Sequence, residues 1–169
     1  MLLIVGQLGD PGASDAILLA VQMEREAWLD LVQGLSAEQL GTRPGDGWSV
    51  IDMLFHVAAW QENALKVARL QAEPSAPELQ PDQGVAGVLG IDVDGFNQEF
   101  MTALGDRSID EAMAWSGEVN AQLTEALEAL PPERLLGGTF DHGARRWYWR
   151  PAVVHPQEHR MELVSRFGG

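Results

Sequence analysis

The sequence predicts an all-α domain, a bundle of four amphipathic helices joined by long crossover connections. Three observations predict it. Apolar residues recur every three to four positions in four stretches, each opened by a serine or proline signal. No stretch alternates apolar and polar residues convincingly enough for a half-buried strand, and no repeat of 20–50 residues is present. A chain of 169 residues, 46% of them hydrophobic, supplies one core and therefore one domain.

Residues 1–13 read as a flexible arm ahead of a single domain over 14–169. The apolar start Met1-Leu2-Leu3-Ile4-Val5 has no basic flank and stops at Gly6, short of the roughly 18–20 apolar residues needed to cross a membrane. Ser14 offers an N-cap to a first helix over about 15–33, in which Ile17, Val21, Trp28 and Val32 share a face and which Gly34 ends. After a turn built on Gly41, Pro44, Gly45 and Gly47, Ser49 caps a second helix running to about Leu70, with Asp52 in the first turn, where a carboxylate is favourable. Residues 72–90 contain Pro74, Pro77, Pro81 and several glycines without periodicity, and read as a long surface connection.

A short helix over about 92–104 follows, because Phe96, Phe100 and Leu104 repeat at every fourth position. Ser108 and Glu111 form a capping-box pair, and Ile109, Met113, Val119, Leu123, Leu127 and Leu130 make the stripe of a third long helix that stops at Pro131-Pro132. The last helix covers about 151–166, and Pro156 requires that it either begin near His155 or kink there, since proline has no N–H to give. Between these two helices Thr139-Phe140 and Trp147-Tyr148-Trp149 are candidates for a small hairpin, the aromatic trio serving packing more than substrate binding.

The charge balance narrows the function. A net charge of −14 repels a phosphate backbone, so nucleic acid is excluded as a partner. Without any cysteine the chain has no disulfide, no thiolate ligand and no nucleophilic thiol of its own, and with no leader or spanning segment it reads as cytoplasmic.

The chemistry concentrates on histidine. His155 and His159 stand four apart, so on a helix their rings lie one turn above each other and reach a common ion at about 2.0–2.1 Å. His56, in the core-like stretch Leu54-Phe55-His56-Val57-Ala58, is the candidate third ligand. Spacing alone leaves the ordinary alternative ahead, because H-x-x-x-H arises by chance and a buried histidine is more often a hydrogen-bonded core residue. His142, after Asp141 in a glycine-containing loop, reads as a solvated loop residue.

Three segments in order, Gly47-Trp48-Ser49-Val50-Ile51-Asp52-Met53-Leu54-Phe55-His56-Val57-Ala58-Ala59-Trp60, Val93-Asp94-Gly95-Phe96-Asn97 and His155-Pro156-Gln157-Glu158-His159-Arg160, resemble the DinB-like (YfiT-like) superfamily over nearly the whole chain. The resemblance implies an up-down-down-up four-helix bundle, often dimeric, whose metal rests on a histidine of the second helix and on an H-x-x-x-H pair of the last. Here those positions are His56, His155 and His159. The sequence departs from the pattern at Pro156, where members commonly carry a helix-compatible residue.

The expected function is a metal-dependent enzyme with a small-molecule substrate. Zn²⁺ is the default for three imidazoles and an open position, with nickel or iron compatible, and the ion would activate a water or a thiol. Since the chain has no cysteine, that thiol would come from outside, and the resemblance implies a low-molecular-weight bacterial thiol. The alternative is a non-catalytic stress protein that binds a metal or an apolar small molecule; a third reading has no metal, should Pro156 turn His155 away. Asp52 and Glu158 are candidates to orient a ligand ring or act as a base, and Trp60 lies one turn beyond His56. The favoured roles for the two acids are a helix N-terminal charge and a solvated carboxylate. Arg145, Arg146, Arg150 and Arg160 are candidates to receive an anionic group, with neutralisation of nearby acids slightly favoured. Six tryptophans, more than one modest core hides, predict a homodimer.

Overall fold

The computed structural model describes residues 12–45, 47–79, 84–135 and 145–167. Helices and no strand are present among these residues: α1 (Gly12–Gln33), α2 (Ala37–Gly41), α3 (Val50–Ala72), α4 (Gly84–Leu89), α5 (Val93–Leu104), α6 (Ile109–Glu128), α7 (Pro132–Leu135), a π-helix (Arg145–Val154) and α8 (His155–Phe167). The expected arm lies outside the described residues except for its last two, which already belong to α1.

The long helices begin where their side chains can satisfy the exposed N–H groups. Ser49 accepts from the Asp52 N–H while the Asp52 carboxylate accepts from the Ser49 N–H, and Ser108 and Glu111 do the same for α6. Ser36 and Gln39 form a third such box and start α2, which falls in a stretch expected to be a turn.

α3 packs most extensively against α6, and α1 touches both α6 and α8, while α8 returns to α3. Both helices carry small buried side chains, Ala58, Ala64 and Ala68 on α3 and Ala112 and Ser116 on α6. One core cluster gathers Val21, Leu65, Leu123, Leu127 and Tyr148, and a second gathers Trp28, Val32, Leu54 and Leu163. Leu123, Leu127 and Leu163 are wholly enclosed.

Three expectations are corrected. The connection after α3 is not irregular throughout, because Val85 is buried and Val88 and Leu89 pack with it on the first cluster, one turn apart, which stabilises α4. The hairpin is not formed as proposed: Thr139 and Phe140 lie outside the described residues, and the other leg, 147–149, is helical, with Tyr148 buried in the core. The last helix is not α-helical from Pro151, since that residue sits inside the wider-turned π-helix and regular α-helix starts at His155. Pro156 therefore falls at the junction where the wider π turn meets the regular α-helix.

Candidate metal centre

α3 holds His56 in its buried middle, 3% exposed and flanked by the buried Phe55 and Val57. α8 holds His155 and His159 one turn apart in its opening residues. The start of α8 is fixed by Trp28, whose indole N–H donates to the Pro156 carbonyl at 3.1 Å, and by Arg160, which grips Glu24 of α1 through Nε at 2.6 Å and Nη2 at 3.0 Å.

These constraints bring the three rings to one point. His56 Nε2 and His155 Nε2 are 3.0 Å apart, His159 Nε2 and His155 Nε2 are 3.1 Å apart, and all three donor atoms lie within 4.8 Å of one another. Nitrogens each about 2.0–2.1 Å from one tetrahedral ion stand roughly 3.3 Å apart, so the two separations from His155 match one divalent cation, and the three nitrogens are close enough together to be candidate ligands of it. The donor set fits as well. His155 Nε2 carries one lone pair or one N–H, which cannot serve two neighbouring nitrogens equally, whereas a cation at the centre satisfies all three. Pro156 thus does not turn His155 away.

The electrostatics keep the nitrogens bare. Burial, reinforced by repulsion from His159, lowers the His56 pKa to about 3. Burial first, then repulsion from His56, His159 and Arg150, lowers that of His155 to about 3. Both rings are neutral at pH 7, as metal ligation requires. Their Nδ1 atoms are buried without a hydrogen-bond partner, while His159 Nδ1 faces the Glu162 carboxylate at 3.5 Å.

The other candidates are placed elsewhere. Asp52 accepts from Arg43 Nε at 2.8 Å and Nη2 at 2.9 Å and from the Ser49 N–H. Burial would raise its pKa, but these bonds outweigh it and hold the carboxyl below its usual range. Glu158 binds Arg150 through two bonds of 3.1 and 3.2 Å on the surface. Neither acid bonds a histidine ring among the described residues. The arginine group divides in the same way: Arg160 is committed to Glu24 and Arg150 to Glu158, and the side chains of Arg145 and Arg146 lie outside the described residues, as does His142.

Sequence reasoning missed three neighbours. The Trp48 indole covers one side of the cluster, its ring 4.5 Å from that of His56 and 6.2 Å from that of His159. Glu162 faces His159 and also accepts from Arg166, whose other nitrogen donates to the Trp48 carbonyl. Asn97 of α5 meets Trp60 across the opposite side. The H-x-x-E spacing of His159 and Glu162 was a readable signal; the contacts of Trp48 and Asn97 were not, since they arise between separate helices and loops.

No curated protein and no solved structure matches the chain. A family model described as DinB superfamily matches residues 20–161, a span that contains all three histidines.

Proposed function

The chain belongs to the DinB superfamily, and from that membership and the convergent imidazoles we propose that it is a metal-dependent enzyme holding one divalent ion on His56, His155 and His159. The observation that carries the reading is the position of His155 Nε2, 3.0 Å from one imidazole nitrogen and 3.1 Å from the other. The ring of long helices α3, α6, α1 and α8 is in this reading the family's four-helix bundle with long crossovers. Zinc is the first choice, with nickel and iron also suited to three imidazoles.

When bound, such an ion lowers the pKa of a water or thiol that shares it and makes a nucleophile near neutral pH. The protein's own part is to keep His56 and His155 neutral, to shield one side of the cluster with Trp48 and to leave the other side open to a small-molecule substrate. Because the chain contains no cysteine, a thiol nucleophile would be an exogenous one of low molecular weight, so the reaction is hydrolysis or thiol-dependent transfer. The setting is the cytoplasm, and the working unit a homodimer; sedimentation giving the mass of one 18.5 kDa chain would overturn the latter. No helix among the described residues is long and apolar enough to cross a membrane.

Elemental analysis of protein purified gently without a histidine tag tests the central reading. One equivalent of a transition metal per chain is expected. Metal-free protein that also fails to take up added zinc would sink it.

A further inference from the structure

A cavity of about 230 Å³ opens on the face of the cluster away from Trp48. His56 and His155 line it and His159 does not, so access to the centre comes from the side of α4, α5 and the π-helix. Its walls are mainly apolar: Val85, Ala86, Val93, Pro151 and the Trp60 ring. The volume lies below the roughly 300–1,000 Å³ of pockets that hold drug-sized ligands, so the occupant is small.

Two polar side chains besides the histidines reach the cavity, Asn97 and Arg150. Arg150 is charge-balanced, its two terminal nitrogens on the Glu158 carboxylate at 3.1 and 3.2 Å. A second anion at the mouth would have to compete with Glu158, against the background of a chain with net charge −14. Asn97 is different. Indole N–H can only donate, and Trp60 Nε1 lies 3.0 Å from Asn97 Oδ1, which fixes which way round the amide sits. The amide oxygen is occupied, and among the described residues the NH₂ group donates to no other side chain or carbonyl.

We propose that this cavity binds a small, uncharged carbonyl compound, an amide, ester or ketone with a short apolar body, whose oxygen accepts a hydrogen bond from Asn97 Nδ2. The inference rests on the reading of the histidines as the reactive end of the same site and deepens it by naming the ligand. Asn97 is the specificity-determining residue, and Trp60 acts through it by holding the amide in the donating orientation.

The test measures butyramide binding to the full-length protein by NMR, following the Asn97 side-chain NH₂ resonance, with metal content and thermal stability recorded for each sample. Asn97→Asp keeps the size and still accepts from Trp60 but has no donor, so butyramide should bind on the order of tenfold more weakly, and butylammonium should gain where butyramide loses. Trp60→Phe, which frees the amide to turn over, should weaken butyramide a few-fold and serves if the aspartate variant does not fold. Butyramide affinity unchanged in both variants, or an Asn97 resonance that does not move, overturns the proposal. Normal metal content with such a result leaves the metal centre standing, whereas protein that neither holds nor takes up zinc yet binds butyramide through Asn97 supports the cavity and removes the metal reading.

Discussion

The indole N–H of Trp28 donates to the carbonyl oxygen of Pro156 at 3.1 Å across the interface of α1 and α8. The missing proline N–H leaves a carbonyl of the preceding turn short of a donor, while the Pro156 carbonyl itself receives this additional donor from another helix. The bond is buried and ties α1 to the residue that follows His155.

Replacing Trp28 with phenylalanine keeps most of the buried apolar area but removes the indole donor to the Pro156 carbonyl, which keeps only its place in the α8 hydrogen-bond ladder. Stability should fall by about 0.5–1.5 kcal/mol, the usual net worth of one hydrogen bond. Urea denaturation with an unchanged slope and a lower midpoint checks this. Zinc affinity should fall in parallel, and an unaltered midpoint would show that the bond does not anchor α8.

Glu24, 7% exposed, is neutralised only through Arg160 among the described residues. Arg160→Ala strands that carboxylate and should cost about 3 kcal/mol or more, while the double variant Glu24→Leu, Arg160→Met should recover most of the loss, because an apolar pair removes the desolvation penalty along with the attraction. Thermal unfolding of the two proteins separates these outcomes; a single variant as stable as the parent would remove this pair from the account of how α8 is placed.

The parts of the fold that were legible in sequence are those governed by one short-range rule. The boxes at Ser49/Asp52 and Ser108/Glu111 and the line Phe96, Phe100, Leu104 need only neighbours three or four positions away, and each appears where it was expected. The H-x-x-x-H pair was visible for the same reason. What could not be read depends on several helices at once. α4 is six residues long, too short for a period to show, and exists because Val85 has a core to enter. The π-helix over 145–154 turns more widely than 3.6 residues, so its apolar positions follow no helical template, and its aromatic run looked like a strand. Asn97 lies in the segment Val93-Asp94-Gly95-Phe96-Asn97, yet nothing local says that its oxygen meets Trp60.

The lowered pKa values of His56 and His155 set the acid limit of the metal-free protein. In the unfolded chain both rings titrate near the ordinary value of about 6.5, whereas in the fold they stay neutral down to about 3. Between those values the unfolded state binds more protons, so stability is full above about pH 6.5 and declines as pH falls. From pH 6.5 to 5 the loss should be roughly 2 kcal/mol per ring. Denaturation of chelator-treated protein at several pH values checks the slope, and a stability that rises on acidification through this range would contradict the burial of these rings.

Three imidazoles rather than two decide whether an ion is held. His159→Ala leaves His56 and His155 facing each other with two ligand nitrogens, and water and buffer compete successfully for a divalent ion bound by so few, so stoichiometric zinc should be lost. Glu162→Gln keeps all three rings and only weakens the acceptor facing His159 Nδ1, so its zinc affinity should drop by about 10-fold to 100-fold rather than vanish. His142 stands apart in sequence from both helices of the cluster, and His142→Ala should bind like the parent. Titration of zinc into the metal-free parent and these three variants, against a competing chelator at pH 7.5 and again at about pH 6, orders them. Because His56 and His155 stay neutral down to about 3, protons do not displace zinc from these two rings over this range, and the order of the variants should be the same at both pH values. If His159→Ala binds as tightly as the parent, or His142→Ala is the variant that fails, the ion belongs to a different set of ligands.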